Sequence, residues 1–183
     1  MTTDSPSYSP GLEGVPICES ALSLVEGEAG RLTYRGYSIE DLTLPEATFE
    51  QTVALLFDGE LPNESRLSEM KNILRENRIL DPEIVELIRQ IAKKTHPMFA
   101  MQAGIAMLGP KDNDFEIKVG SIRQRSLSLV AKVATVVGVI AQSLEDRPYE
   151  GPRESESHAE MLLRMITGNE THPDGHVHTM DSL

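Results

Sequence analysis

Apolar residues recur at spacings of three and four through most of the chain after residue 46, which is the period of one face of an α-helix. The predicted helices begin at residues that favour a helix start, namely Thr48, Asn63, Asp81, His96 and Ser157. Thr48 and Ser157 are each followed, three residues later, by the Gln or Glu of a capping box. Gly59, Gly109 and Gly168 predict helix ends. The pattern therefore predicts a mainly α fold.

One predicted helix, Gly120–Leu144, is apolar on almost every side in its second half. A helix with this pattern must be buried on every side. Its small residues Ala131, Ala134, Gly138 and Ala141 recur at spacings of three and four, so a second helix can approach this line closely. Two interpretations fit the pattern. The helix is either a central core helix or a subunit interface, and the interface is the more specific interpretation because the domain offers too few other apolar stripes to cover it.

The first 45 residues have a different pattern. Residues 1–10 contain three Ser and two Pro and predict a disordered leader. Within residues 11–45, the β-prone runs Ser20–Val25 and Arg31–Tyr34 flank a turn that contains glycine, which predicts a small β-hairpin followed by a connecting turn. Residues 46–183 form the predicted helical part.

The net charge of −12 is concentrated near the N-terminus, where residues 1–60 hold 11 acidic and 2 basic side chains. An acidic protein without a basic stripe repels phosphate backbones, so we predict no nucleic-acid partner. A single cysteine, Cys18, excludes an internal disulfide and suits a reducing cytoplasm. The N-terminus lacks the pattern of a signal peptide, and Lys132 interrupts the longest apolar run, so we predict a cytoplasmic protein without a membrane span.

Several motifs occur in the order and at the spacing of one known family. The most specific is GRLTYRGYSIEDL at Gly30–Leu42, and LLFDGELP follows at Leu55–Pro62. Further matches lie at His96–Met98, Ala131–Val137 and His158–Met165. On these residues the chain resembles the citrate synthase family, which includes citrate and 2-methylcitrate synthases. It matches the N-terminal part of that family's large domain.

The resemblance implies a multi-helical citrate synthase-like large domain, incomplete in this sequence, with a small N-terminal β-hairpin. It also implies a homodimer through Met98–Leu108 and Gly120–Leu144, in agreement with the interface interpretation of the long helix. The family condenses oxaloacetate with acetyl-CoA, or with propionyl-CoA in the methylcitrate branch. It uses neither a metal nor a tightly bound cofactor, so a CoA thioester is expected only as a substrate of the completed enzyme.

The chemistry of this family needs a general base, a hydrogen-bond donor for the enolate oxygen and cations for the carboxylates. In the family an aspartate, histidines and arginines supply these groups, and all of them follow the position that matches Leu183. No catalytic residue is therefore assigned, the cofactor-binding residues stay unknown, and the chain alone is predicted to be inactive. The expected partner is a C-terminal catalytic chain. The alternatives are a non-catalytic helical dimerisation or regulatory module, or a fragment of a longer protein.

His172, His176 and His178 have a spacing at which zinc or nickel ligands occur. The segment matches a variable surface loop of the family, whose chemistry needs no metal, so we predict a solvated loop without a metal. Met180–Leu183 matches the start of a helix. A helical stump of this length cannot hold itself, so residues 172–183 are expected to be mobile in the isolated chain.

Other candidate residues are interpreted as structural. Arg35 lies in a turn whose following glycine supplies a positive φ, and it is predicted to fix the hairpin to the first helix rather than to bind a ligand. Cys18 has no base beside it in the sequence and is interpreted as a small apolar residue. Arg123, Arg125 and Lys132 could approach the phosphates of CoA, but cationic side chains on a helix are usually solvated, so they stay unassigned.

Overall fold

The structure is a computed structural model that describes residues 10–12, 14–16, 18–109 and 119–182. A 3-10 helix at Pro10–Leu12 precedes three strands, β1 (Ser23–Glu26), β2 (Arg31–Tyr34) and β3 (Tyr37–Ser38). The helices are α1 (Ile39–Leu42), α2 (Phe49–Asp58), α3 (Glu64–Asn77), α4 (Pro82–Ala92), α5 (Pro97–Ala106), α6 (Val119–Leu144), α7 (His158–Thr167) and α8 (Asp174–Asp181). Apart from Pro10, the predicted disordered leader at residues 1–10 lies outside the described residues. The predicted mainly α fold with a small β element is confirmed.

The strands form one antiparallel sheet in the order β1–β2–β3. Val25 pairs with Leu32 across the predicted hairpin. The first strand begins at Ser23 rather than at Ser20, and the third strand was not predicted. The short helix α1 follows directly, because the Ser38 hydroxyl accepts a backbone N–H in its first turn and so caps it.

A tight turn joins β2 to β3 and holds the sheet against the helices. Arg35 and Gly36 both have a positive φ there, of 51° and 90°. This backbone conformation is uncommon for a residue other than glycine. It directs the Arg35 side chain to α2, where its Nη2 atom donates to the carbonyl of Leu56 at 3.3 Å. The prediction that this turn fixes the hairpin to the first long helix is confirmed.

Local hydrogen bonds explain where the helices begin. The N–H of Gln51 donates to Thr48 Oγ1 at 3.4 Å, and the N–H of Thr48 donates to Gln51 Oε1 at 2.8 Å, which confirms the capping box of α2. Ser157 and Glu160 make the same pair of bonds at the start of α7. The Nδ1 atom of His96 accepts a backbone N–H in the first turn of α5 at 3.2 Å, so this histidine is a cap, as predicted.

Two segments contain less helix than the sequence pattern predicts. Helix α5 ends at Ala106, three residues before the glycine that was expected to end it. Residues 145–157, all of which are described, contain no helix. The side-chain amide of Gln142 holds this connection, because it donates to the carbonyl of Glu150 and accepts the N–H of Glu150, each at 3.1 Å. The connection brings Glu156 to the start of α7.

Helix α6 lies at the centre of the fold. Its second half is buried with residues of α4, α5 and α7, among them Ile88, Ala100 and Met165. Its first half is buried with α2 and α3, where Leu127 contacts a cluster that includes Leu74. The interpretation as a core helix is confirmed. Neighbouring helices cover much of α6, but Ile122, Leu129 and Leu144 stay exposed, so the domain does not cover this helix completely.

By length and composition alone, residues Gly120–Leu144 could cross a membrane. The prediction that Lys132 makes the apolar run too short for a membrane span was therefore wrong. In the described part of the chain this is the single helix that meets both criteria. However, 56% of its apolar window is buried inside the domain. The core helix of a globular domain has the same composition, because it too is surrounded by apolar side chains. The packing of α6 against its neighbours accounts for its hydrophobicity.

Candidate functional site

The line of small residues on α6 is filled within the protomer. A Cβ atom built on Gly138 would lie 2.7 Å from the Cβ atom of Met165 on α7. Ala131, at the other end of the line, is fully buried against α2 and α3. The prediction that this line faces a second subunit is wrong at Gly138. The missing side chain of Gly138 lets α7 approach α6 closely, and α7 belongs to the same chain.

A different surface of α5 and α6 is apolar and uncovered, and we call it the α5–α6 face. It contains five exposed side chains, Met98, Phe99, Ile122, Leu129 and Leu144. Phe99 is 61% exposed, which is unusual because phenylalanine is among the side chains most often buried in folded proteins. Ile122 and Leu129 are seven residues apart and so lie on one side of α6. Large exposed apolar side chains are a common feature of interaction surfaces.

A cavity of about 480 Å³ lies beside the α5–α6 face, between the end of α5 and the first half of α6. Apolar side chains of Ile105 and Leu129 line part of it, and Arg125 and Lys132 line another part. Two of the three cationic residues considered for CoA phosphates therefore share one cavity. The third cationic residue, Arg123, does not line this cavity. Its guanidinium makes an ion pair with Asp58 and lies over the Phe57 ring.

Arg123 has a structural role. Its Nη1 atom donates to the carbonyl of Phe57 at 3.0 Å, and its guanidinium lies 5.5 Å from the centroid of the Phe57 ring. The Asp58 carboxylate that it contacts also accepts from Arg66 at 2.7 Å. Hydrogen bonds from Arg66, and then from Arg123, hold the pKa of Asp58 below its ordinary value in spite of partial burial. These contacts tie the C-terminus of α2 to α3 and α6.

The three histidines considered as metal ligands are not brought together. His172 lies in the loop after α7, and its ring Nε2 is 3.2 Å from the hydroxyl of Thr167. His176 and His178 lie on α8, so the prediction of a loop through these residues is wrong. Within the described residues, no three His, Cys, Asp or Glu side chains converge as metal ligands do. Cys18, which was interpreted as a small apolar residue, is exposed.

The observed bounds of helix α8 also differ from the sequence prediction. The sequence suggested a helical stump that begins at Met180, whereas the helix begins at Asp174 and ends at Asp181. Its last residue makes a long-range bond, because Asp181 Oδ1 accepts the backbone N–H of Phe49 at 3.1 Å. The carboxylate therefore caps α2 from outside that helix. Leu183, the last residue of the expected stump, lies outside the described residues.

The first turns of α2 and α7 meet α8 in a buried polar cluster, which we call the α2–α7–α8 junction. Its members are Phe49, Glu50, His158, His178 and Asp181. Glu50 is only 2% exposed, and its Oε1 atom accepts the backbone N–H of His158 at 3.0 Å. The His158 ring stacks on the Phe49 ring, with centroids 4.5 Å apart. In the described structure three buried atoms of this cluster have no hydrogen-bond partner: Glu50 Oε2, His158 Nδ1 and His178 Nδ1.

The ionisable groups of the junction have shifted pKa values. Burial lowers the pKa of His158 to about 4, although the charge of Glu50 opposes this, and the nearby Arg78 adds to the shift. Burial raises the pKa of Asp181, and the hydrogen bond from Phe49 offsets this only in part. Both directions disfavour the charged forms, as expected for groups removed from water. At neutral pH the His158 imidazole is therefore uncharged.

A second buried polar contact lies at the start of α7. Arg164 is 4% exposed and makes an ion pair with the Glu156 carboxylate, while its Nη2 atom also donates to the carbonyl of Gly151 at 2.9 Å. Burial alone would raise the pKa of Glu156, but hydrogen bonds from Arg164 and from the N–H of Arg153 outweigh it, and the pKa lies below its ordinary value. This ion pair stabilises the connection between α6 and α7.

Neither buried polar cluster was predicted from the sequence. Glu50 was visible only as an acidic residue in the first turn of α2, where acidic residues are common whether or not they are buried. Nothing local relates Glu50 to His158, which lies 108 positions further along the chain. The described residues thus present an uncovered apolar face and buried structural polar groups. They define a mainly α domain with an exposed apolar face.

Comparison with known proteins assigns the family. The family model described as "Citrate synthase, C-terminal domain" matches residues 11–183. The citrate synthase of Deinococcus radiodurans is 33% identical over 165 residues, which is 90% of this chain and 44% of that protein. The 2-methylcitrate synthase 2 of Corynebacterium glutamicum is 35% identical over 159 residues, 86% of this chain and 41% of that protein. The chain belongs to the citrate synthase family, as its motifs predicted.

Solved structures agree with this assignment. The crystal structure of citrate synthase from Pyrobaculum aerophilum matches all of this chain and 49% of its own, with a TM-score of 0.84 and 32% sequence identity. The citrate synthase of Thermoplasma acidophilum, solved with carboxymethyl coenzyme A and oxaloacetate, has a TM-score of 0.87 over 96% of this chain and 46% of its own. At 24% identity the latter comparison shows the fold alone. The chain spans about half the length of the relatives it matches.

Proposed function

We propose that this chain supplies the scaffold and the dimer interface of a citrate synthase-type acyltransferase. The reaction is the condensation of oxaloacetate with acetyl-CoA or a related CoA thioester, in the cytoplasm. The observation that carries the proposal is the family match across residues 11–183, which corresponds to only about half of each relative. The catalytic residues then belong to the other half of the fold, on the same or on a separate polypeptide.

The α5–α6 face supports the dimer part of the proposal. Its exposed side chains lie within Met98–Leu108 and Gly120–Leu144, the segments for which the family resemblance implies a two-fold contact. Burying apolar area contributes about 25 cal/mol per Å², so two copies of this face gain free energy when they cover each other. Two-fold symmetry requires the same patch on both subunits. A pair of apolar helices meets that requirement.

Leu129→Glu tests the dimer, with Leu87→Glu on α4 as the matched control. Both leucines are helical and 41% exposed, but only Leu129 belongs to the α5–α6 face. Burying an unpaired carboxylate is costly, and the two-fold axis places the change twice in the interface, so we expect the dissociation constant to rise about a hundredfold or more. Sedimentation equilibrium measures it.

The control fixes how the result is interpreted. The Leu87→Glu variant should remain a dimer of unchanged affinity. If the unchanged protein is a folded monomer at micromolar concentration, the proposed dimer is wrong. If both variants dissociate equally, the interface lies elsewhere.

A second experiment tests the enzymatic part. We expect the chain alone to release no CoA from acetyl-CoA and oxaloacetate above a heat-inactivated control. Adding a polypeptide that carries the remaining half of the fold should restore turnover. CoA release by the chain alone would contradict the assignment of the catalytic groups to the other half. A verified complex without turnover would instead favour a non-catalytic dimerisation module.

A further inference from the structure

The α2–α7–α8 junction joins three helices through two carboxylates that each cap a neighbouring helix. Asp181 of α8 accepts the first N–H of α2, and Glu50 of α2 accepts the first N–H of α7. A negative charge at a helix N-terminus is stabilised by the helix dipole. The caps therefore form a series, from α8 to α2 and from α2 to α7. If one of these capping bonds breaks, the next helix in the series is held less firmly in place.

His158 occupies the middle of this series and can be held there only while it is neutral. Its ring is stacked on Phe49, and its buried Nδ1 atom has no partner among the described atoms. A protonated imidazole has two N–H donors and needs an acceptor for each. The charges that face it are the carboxylate of Glu50, which attracts it, and the guanidinium of Arg78, which repels it. Its position at the first residue of α7 adds the positive end of that helix.

Phe49 links His158 to α8, because its ring contacts the histidine and its N–H is bound by Asp181. The charged groups that face Asp181 are Glu50 of α2, His178 of α8 itself and Glu160 of α7. Helix α8 has eight residues and no side-chain hydrogen bond at its N-cap. A helix of this length is unstable by itself in water, so its order depends on this docking.

We propose that the α2–α7–α8 junction is a proton-sensitive latch, in which protonation of His158 separates α8 and the first turn of α2 from α7. Opening the junction hydrates the imidazolium ring and so relieves the cost of burying its charge. The latch is a property of this chain and does not depend on the proposed acyltransferase activity. It acts on the segment at the C-terminal end of the described chain while the α4–α6 core stays folded.

The size of the effect follows from linkage. The pKa of His158 is about 4 in the closed junction and 6.5 for the solvated ring, so the closed state binds fewer protons and loses stability as the pH falls below 6.5. The equilibrium constant for opening should rise about twentyfold between pH 7 and pH 5. Hydrogen exchange with mass spectrometry, corrected for intrinsic rates, measures this for peptides of α8 and of the first turn of α2. Peptides of α4 provide the internal control, because they exchange only when the whole domain unfolds and should stay better protected than α8 at both pH values.

Variants separate His158 from other acid-dependent groups. His158→Phe keeps an aromatic ring on Phe49 but cannot be protonated, so the twentyfold change should disappear. His158→Gln provides a second uncharged variant. His178→Gln, on the α8 side of the junction, should retain the change. The proposal is overturned if α8 in the unchanged protein is unprotected at pH 7, if its protection is constant down to pH 5, or if α8 and α4 are equally protected, because the junction then opens only when the whole domain unfolds. A change that survives in a folded His158 variant overturns it as well.

Discussion

Replacing Gly138 by alanine tests whether the line of small residues on α6 is filled inside the protomer. The new Cβ atom would lie 2.7 Å from the Cβ and Cε atoms of Met165 and 2.8 Å from its Sδ atom. Carbon atoms in contact normally lie about 3.5–4.0 Å apart. The end of the Met165 side chain can rotate away, but its Cβ atom is fixed to the backbone of α7. The two helices must therefore move apart by about 1 Å at this point.

Two opposing contributions set the change in the free energy of unfolding. Overpacking of a buried contact typically costs about 1–3 kcal/mol. Exchanging glycine for alanine inside a helix gains at most about 1 kcal/mol. Gly120→Ala is the matched control, because Gly120 lies on the same helix and no atom of the described residues would lie within 4 Å of its new Cβ. We therefore expect Gly138→Ala to be less stable than Gly120→Ala by about 1–3 kcal/mol.

Urea unfolding followed by far-ultraviolet circular dichroism measures this difference. The variants must be compared at one protein concentration, because the unfolding of a self-associating protein depends on concentration. A lower midpoint with an unchanged m-value would report lost stability of the native packing. The reasoning is refuted if Gly138→Ala is as stable as Gly120→Ala. If Gly138→Ala dissociates the protein without lowering the stability of the subunit, the small residues face a second copy after all.

Three further changes test other parts of the fold. Glu156→Gln removes the buried carboxylate that pairs with Arg164 and leaves, among the described residues, only an ion-pair contact of 3.8 Å with the exposed Glu150. The free energy of unfolding at neutral pH should therefore fall by about 3–5 kcal/mol, against little change for the exposed Glu170→Gln. Folding lowers the pKa of Glu156, so the ion pair stabilises the native state above the ordinary pKa of glutamate. This stabilisation should vanish as the pH falls through the pKa that Glu156 has in the folded protein. Urea midpoints measured at several pH values would detect the loss. Thr48→Ala removes one bond of the α2 capping box and should cost about 1 kcal/mol, measured as a lower Tm. Global stability should also fall by up to about 3 kcal/mol between pH 6.5 and pH 4 as His158 becomes protonated in the unfolded chain, and His158→Phe should remove this dependence.

Local patterns in the sequence were sufficient for most of the longer helices and for the family. The capping boxes at Thr48 and Ser157 join residues three positions apart, so the chain encodes them without reference to the rest of the fold. The apolar character of Gly120–Leu144 likewise required burial wherever the helix was placed. The motif at Gly30–Leu42 indicated the citrate synthase family, and the comparisons confirm it.

Only the tertiary structure decided which surfaces meet. The sequence indicated that a helix would pack against Gly138, but periodicity contains no information about the identity of that helix, which is α7 of the same chain. The bond between Asp181 and Phe49 spans 132 positions, and it helps to hold a helix that a local argument had reduced to a stump. Short helices and buried polar contacts depend on neighbours that are distant in sequence, because the free energy that orders them comes from packing and from exclusion of water rather than from local propensity.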